Sequence, residues 1–271
     1  MPMRFFLLIP FLILGAFKAS AQTLVTPEEA QSIFQKIQTL YVPVVKAAGG
    51  EFHLVVHWER TTVGGSANRD ELKKYVVGVD GGLLLSSRLS SDSLKMVLCH
   101  EAGHLFGGQP LRPAPMEWEG PLDESGLSLL SAEGQADYYA SSVCFRRLVD
   151  GENHREFLKG RKIPQQLVQQ CAAVWGARTP ASFLCLRTAL AGLDFLNLVK
   201  EFPISLSDKD ETVVDKTING EYPSRQCRLD TLTAGALCRA EAPLDFVRKD
   251  KSAEGCARGT GARPACWHKT P

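Results

Sequence analysis

The sequence predicts an α+β fold in which a small mixed β-sheet packs on one central helix, followed by a mainly helical half. Three observations predict it. Residues 52–58 alternate between apolar and polar side chains, as a half-buried strand does. Residues 164–202 hold two stretches with apolar side chains at helical spacing. Residues 240–271 are rich in Gly, Pro and Cys, which predicts a disulfide-stapled tail.

The elements before the central helix are predicted from caps and turns. The first helix begins at Thr26, a good N-cap that precedes a proline, and ends near Tyr41, ahead of Pro43. After strand 52–58, two further strands at 72–79 and 83–87 are expected to form a hairpin, because Asp-Gly-Gly lies between them.

The helices have clear boundary signals. The central helix is expected to start at Ser91 or Asp92 as N-cap and to end at Gly107-Gly108. Residues 109–130 are rich in Pro and Gly and predict a long loop that overhangs the cleft and could gate it. Further helices are predicted at 164–174, 179–202 and 228–239.

Residues 100–104, His-Glu-Ala-Gly-His, carry the strongest chemical signal. On a helix His100 and His104 lie one turn apart on the same face, so both imidazoles can reach one zinc ion. Glu101 can reach a water on that metal and act as general base. An idle helix face is the structural alternative.

A catalytic zinc ion usually takes three protein ligands and leaves one position for water. A third histidine at the zincin spacing is missing, because Pro110 occupies that place. Glu133 and Asp137 are four residues apart and would face the same way on a later helix. Glu133 is the candidate third ligand, and Asp137 can accept a hydrogen bond from the far nitrogen of a ligating histidine.

Together, residues 100–104 and the segment Glu133-Gly134-Gln135-Ala136-Asp137 resemble the gluzincin metallopeptidases, in particular the HtpX and CAAX-prenyl-protease group. The matched motifs span only about residues 75–145. The resemblance implies a zincin-like fold and one Zn²⁺ ion held by His100, His104 and Glu133. It also implies that Glu101 is the general base, that Asp137 supports a ligand, and that a strand beside the metal helix pairs with an extended peptide substrate.

A weaker likeness lies downstream of the glutamate segment. In that family a His-Pro pair followed by a basic residue occupies a comparable place, and here Tyr222-Pro223 and Arg228 stand there, with tyrosine replacing histidine. Tyr222 or Arg228 could stabilise an oxyanion and are therefore candidate catalytic residues. The alternative is a turn that leads into a helix started by Pro223.

Residues 1–21 predict a secretory signal peptide, with a charged start, an apolar run at 5–17 and an Ala-Ser-Ala cleavage site. That run is too short for a stable membrane span. The mature chain would divide into a metallopeptidase domain at 22–239 and the tail at 240–271. A net charge of +1 argues against nucleic acid or an anionic membrane as partner. The basic run at 146–162 is interpreted as a solvated helix face.

Eight cysteines in an exported chain predict disulfide bonds. Proximity in sequence suggests the pairs Cys256–Cys266 and Cys171–Cys185. Bridges from Cys99 and Cys144 could brace the metal site, and a free thiol at Cys99 is an equal alternative. Pairing as a whole stays open, because eight cysteines allow 105 connectivities.

The sequence therefore predicts an exported zinc metalloendopeptidase, periplasmic or extracellular, that acts on a protein or peptide substrate. Its oligomeric state stays open. One alternative is a catalytically inactive exported protein that binds zinc or a peptide. A second is a purely structural, disulfide-rich protein in which the His-Glu-Ala-Gly-His motif is accidental.

Overall fold

The computed structural model describes residues 25–114, 120–199, 203–240, 244 and 256–269. The predicted signal peptide lies outside these residues. The described chain has the predicted mixed α+β composition, with a small sheet and many helices. Within it, no helix is both long enough and apolar enough to span a bilayer.

The main sheet has three strands in the order β1-β3-β2, with β3 parallel to β1 and antiparallel to β2. The small mixed sheet predicted from sequence is therefore confirmed. Tyr75, Val77 and Val79 alternate along β3 and are fully buried, so one sheet face packs on the helices. The strands are β1 (Glu51–His57), β2 (Gly65–Arg69) and β3 (Lys74–Asp80).

The hairpin predicted after β3 is wrong. Both edges of β3 are already paired, with β1 and with β2, so no further strand can join it. The chain instead forms the short helix α2 (Gly81–Leu84). A Cβ atom at Gly82 would lie 2.0 Å from the backbone oxygen of Thr61, so this turn passes against the preceding loop too closely for a side chain.

Helix α1 (Pro27–Ala47) starts as predicted, since the Thr26 hydroxyl accepts a hydrogen bond from the backbone N–H of Glu29. Its predicted end near Tyr41 is wrong. The helix continues through Pro43, because Tyr41 and Val45 are both fully buried on the same face, and tertiary packing outweighs the local cost of a proline.

Helix α3 (Ser91–Phe106) runs through the centre of the molecule, and every residue from Ser93 to Phe106 is buried. Its N-cap is Ser90, which exchanges hydrogen bonds with Ser93 in a capping box, one residue before the predicted cap. The helix ends before Gly107, as predicted.

The predicted long loop at 109–130 is partly structured. Strand β4 (Leu111–Pro113) pairs antiparallel with β5 (Leu127–Ser131), and residues 115–119 lie outside the described chain. Helix α4 (Glu133–Tyr139) follows β5 directly and continues into a π-helix at Ala140–Cys144. A gating role for this segment stays a prediction.

The second half is helical, as predicted. The predicted helix at 179–202 ends earlier, at Leu196, and the one at 228–239 begins earlier, at Arg225, where Ser224 caps it. The helices are α5 (Phe145–Leu148), α6 (His154–Phe157), α7 (Gln165–Trp175), α8 (Pro180–Leu196) and α9 (Arg225–Leu237).

All eight cysteines form disulfides: Cys99–Cys144, Cys171–Cys185, Cys227–Cys266 and Cys238–Cys256. The predicted Cys171–Cys185 bridge is confirmed, and Cys99 is bridged and not a free thiol. The Cys256–Cys266 pairing is wrong. The two tail cysteines bond to opposite ends of α9. Cys266 bonds to Cys227 near its start, and Cys256 bonds to Cys238 just after its end. Four disulfides are typical of an oxidising compartment such as the periplasm or the cell exterior.

Candidate metal centre

The two predicted motif segments lie in direct contact. Helices α3 and α4 approach so closely at Gly103 that a Cβ atom there would lie 2.5 Å from the backbone oxygen of Ala136. Only glycine fits such a contact. The approach brings the histidine face of α3 opposite the first turn of α4.

The structure brings His100, His104 and Glu133 together in one buried group. Nε2 of His100 lies 3.3 Å from Oε2 of Glu133, and Nε2 of His104 lies 3.4 Å from Oε1 of the same carboxylate. The ligand atoms of the three residues all lie within 4.8 Å of one another. All three residues are less than one tenth exposed.

Acceptor oxygens lie close to the far nitrogen of each imidazole, in hydrogen-bond geometry for His104 and as an ion-pair contact for His100. Nδ1 of His100 lies 2.8 Å from Oδ1 of Asp137, and Nδ1 of His104 lies 2.7 Å from the backbone oxygen of Ser131. Because both neighbours are acceptors, a proton on each Nδ1 would leave each Nε2 with its lone pair directed to the centre. Asp137 lies next to the far nitrogen of His100, and its role in supporting a ligand stays a prediction.

A cation fits this donor set. Oε2 of Glu133 is buried and, among the described residues, has no partner in hydrogen-bond geometry, although two imidazole nitrogens face the carboxylate. Two imidazoles and one carboxylate are typical ligands of zinc. A second group, Asp210 with Cys227 and Cys266, cannot bind a metal through sulfur, because the two cysteines form a disulfide.

The titratable groups of this buried cluster shift one another's pKa values strongly. Burial alone would lower the pKa of His100, but Asp137 and Glu133 raise it to about 10. Burial lowers the pKa of His104 to about 4. Burial opposes ionisation of Glu133, yet the two histidines and Arg228 hold its pKa well below its usual range. A proton on Nε2 of His100 would have to leave before a cation could bind there.

Glu101 lies beside this group on α3 and is 7% exposed. Burial raises its pKa to about 7, and the negative charge of Glu133 adds to the effect. Its side chain packs on the start of β2, since a Cβ atom at Gly65 would lie 2.8 Å from Oε1 of Glu101. The sheet order places β2 at an edge of the sheet.

Arg228, a candidate catalytic residue, lies at the first turn of α9 and is buried against Asp137. Its Nε and one terminal nitrogen donate hydrogen bonds of 2.7 and 2.9 Å to the two carboxylate oxygens, while that same terminal nitrogen is 3.9 Å from Oε2 of Glu133. Burial would lower the pKa of Arg228, but Asp137 and Glu133 keep it above its usual value. Its closest contacts are therefore with Asp137, so Arg228 supports the candidate ligand His100 indirectly, through that carboxylate.

Tyr222, the other candidate catalytic residue, lies at the solvent-exposed edge of the candidate metal centre. The residue is 70% exposed, and its ring centroid lies 5.4 Å from the guanidinium carbon of Arg228. Desolvation of the hydroxyl and the charge of Glu133 raise the pKa of Tyr222 to about 12. Its phenol is thus neutral at physiological pH and can donate a hydrogen bond at the open side.

The C-terminal tail supports α4 from the side opposite the histidines. The indole of Trp267, which is fully buried, packs on Gly134 so closely that a Cβ atom there would lie 2.3 Å from the ring. Arg263 donates a 2.8 Å hydrogen bond to the side chain of Gln135, and the hydroxyl of Tyr138 donates one of 2.6 Å to the backbone oxygen of Gly261.

Several contributors to the site were missed from sequence. Arg112 on β4 acts electrostatically on Glu101 and His104, and the ring of Phe195 on α8 lies 5.4 Å from that of His100. Trp267 was also missed. These residues come from distant segments and belong to no spacing pattern. The one local signal was Gly134, since a glycine can mark a position that has no room for a side chain.

No model of a known protein family, no curated protein and no solved structure matches this chain. The likeness to the gluzincins therefore depends on the two motifs and on the geometry of the three converging side chains.

Proposed function

We propose that this chain is an exported, zinc-dependent metalloendopeptidase with a zincin-like active site. The single observation that carries the proposal is the convergence of His100, His104 and Glu133, from two separate helices, on one buried point. A zinc ion held there would supply a Lewis acid and lower the pKa of a bound water toward neutrality.

Residues of this chain would orient the ligands, transfer the protons and stabilise the oxyanion. Asp137 and the backbone oxygen of Ser131 hold the imidazoles so that Nε2 faces the centre. Glu101 takes the proton of the attacking water and passes it to the leaving amine. Tyr222, at the open side, donates a hydrogen bond to the oxyanion that forms from the peptide carbonyl.

The substrate class we propose is an extended peptide. Among the described strands, β2 pairs with β3 alone, and its first residue lies against Glu101. An extended segment paired with the free edge of β2 would pass the general base. In this proposal, β2 takes the role of the substrate-pairing strand that the resemblance implies.

The proposal is tested by zinc analysis combined with digestion of casein. We expect one zinc ion per chain and hydrolysis that a chelator abolishes and added zinc restores. Glu101→Gln should keep the zinc and lower the rate by at least about 100-fold. Glu124→Gln, which removes an exposed carboxylate, is the matched control and should hydrolyse casein at the wild-type rate.

Two results would contradict the proposal. Bound zinc without hydrolysis of casein or of a peptide library supports the inactive zinc- or peptide-binding protein. Purified chain without zinc, with no metal uptake on titration, supports the purely structural protein.

A further inference from the structure

A second cavity lies apart from the metal centre, and none of the three candidate ligands lines it. It has a volume of about 650 Å³ and opens between the π-helix, the end of α7, the start of α8 and the end of α9. That size is typical of sites for small molecules. π-helical turns are frequent at functional sites.

The charged residues around this cavity are mostly arginines. Arg146, Arg147 and Arg239 line it, and Asp150 is the one acidic residue among its described lining residues, so these side chains carry a formal charge of +2. Arg146 and Arg147 begin the basic run that the sequence predicted as a solvated face. Both are instead half-buried, so that interpretation is wrong for them.

Hydrogen bonds and a shared aromatic ring position two of these guanidinium groups. Arg146 donates hydrogen bonds of 2.8 and 2.9 Å to the backbone oxygens of Gly235 and Ala236 at the end of α9. The ring centroid of Trp175 lies 4.9 Å from the guanidinium carbon of Arg146 and 5.8 Å from that of Arg239. One indole thus organises two cations.

Burial lowers the pKa of Arg146 to about 10, because desolvation and the neighbouring charge of Arg147 outweigh the opposing effect of Tyr138. Within the described part of the chain, neither Arg146 nor Arg239 forms an ion pair with a carboxylate. A partly buried cation without a counter-ion is unfavourable, and a bound anion would relieve that cost.

The other walls of the cavity are apolar, formed in part by Leu40, Val143 and Leu184. We propose that this cavity is a binding site for a small organic anion. A carboxylate or phosphate group of the ligand contacts the arginines, because the guanidinium fork matches both groups. The apolar body of the ligand lies against the aliphatic side chains.

The indole N–H of Trp175 is the reporter for the test, because it donates a 3.2 Å hydrogen bond to the backbone oxygen of Ala236 inside the site. The NMR signal of this indole N–H is followed in the full zinc-loaded chain. It is assigned by its disappearance in Trp175→Phe. Inorganic phosphate and benzoate are added separately at constant ionic strength, with chloride as the balancing anion. We expect a saturable shift of this signal with at least one of them.

Two variants locate the site. Arg239→Gln changes an exposed side chain and should leave the fold intact while weakening binding by about tenfold. Arg155→Gln removes an exposed arginine of the same basic run that does not line the cavity, and it should bind like the wild type. Saturation by benzoate alone identifies a carboxylate ligand, and saturation by phosphate alone identifies a phosphate ligand.

The proposal fails if neither anion gives a saturable shift at millimolar concentration. It also fails if Arg239→Gln binds as tightly as Arg155→Gln, because binding would then be a general effect of surface charge.

Discussion

The carboxylate of Asp137 joins His100 to Arg228. One oxygen lies 2.8 Å from Nδ1 of the histidine, and the arginine donates to both oxygens. The side chain of Asp137 is fully buried, and among the described residues these two partners neutralise its negative charge. Three helices, α3, α4 and α9, are thereby connected at one carboxylate.

Asp137→Asn should lower zinc affinity by about 10- to 100-fold, because an amide stabilises the ligating imidazole less than a carboxylate does. Competition with a chromophoric chelator measures the affinity. Asp215→Asn, at an exposed position, is the control and should bind zinc normally. Equal zinc affinity in both variants would show that Asp137 does not act on the metal.

Removal of the Cys99–Cys144 bridge should lower both stability and zinc affinity. The bridge connects the residue before His100 to the end of the π-helix that follows α4. Replacing both cysteines by alanine should cost about 2–5 kcal/mol of unfolding free energy. Urea denaturation and zinc titration measure the two effects.

The Cys171–Cys185 bridge provides the matched control, because it connects α7 to α8 away from the ligands. Its removal should also lower stability but leave the zinc affinity of the folded chain unchanged. If the two double variants lose zinc affinity equally, the Cys99–Cys144 bridge has no specific role in the metal centre.

Gly134→Ala should disturb the metal centre through the tail. The new methyl group would overlap the buried indole of Trp267, at a cost of about 1–3 kcal/mol, and would push α4 and Glu133 away. Thermal unfolding and zinc titration should both show the loss. Gly220→Ala is the control, because its nearest neighbour, Pro113, would lie at 3.4 Å; wild-type behaviour of both variants would refute tail support.

Stability should fall in acid through Glu152, which lies among Lys36, Lys95 and Arg187. Burial opposes its ionisation, yet these cations lower its pKa from 4.5 to about 2. A carboxyl group whose pKa is lower in the folded state than in the unfolded state stabilises the fold at pH values above its unfolded pKa. This stabilisation is lost as the pH falls to the folded pKa. The loss between pH 4.5 and 2 should be about 1–3 kcal/mol, allowing for partial exposure.

Glu152→Gln tests this in zinc-free protein, so that release of the metal does not contribute. The variant should be less stable than the wild type at neutral pH, and the difference should narrow below pH 4.5. Glu71→Gln, at an exposed position, should parallel the wild type. A constant difference between wild type and Glu152→Gln at all pH values would contradict the assignment.

Local signals predicted the positions of the candidate ligands better than they predicted the topology. Periodicity and caps predicted helix α3, and a spacing of four residues predicted that Glu133 and Asp137 face one way; metal binding by this group stays a prediction. The sequence could not show that both edges of β3 are occupied, which excludes the hairpin, nor that burial of Tyr41 and Val45 carries α1 past Pro43. Such outcomes depend on contacts between distant segments.

The cysteine pairing shows the same limit. Cys256 and Cys266 are close in sequence, but the path of the tail along α9 brings them to different partners. The support of α4 by Trp267 likewise joins residues more than a hundred positions apart, which no local pattern predicts.

The absence of a side chain at Gly103 has a consequence for how this centre tolerates change. Because main chain meets main chain there, the distance between the two helix backbones at that point leaves no room for a side chain. Position 103 therefore tolerates no substitution, since even the methyl group of alanine would move the helix that carries His100 and His104 away from the helix that carries Glu133.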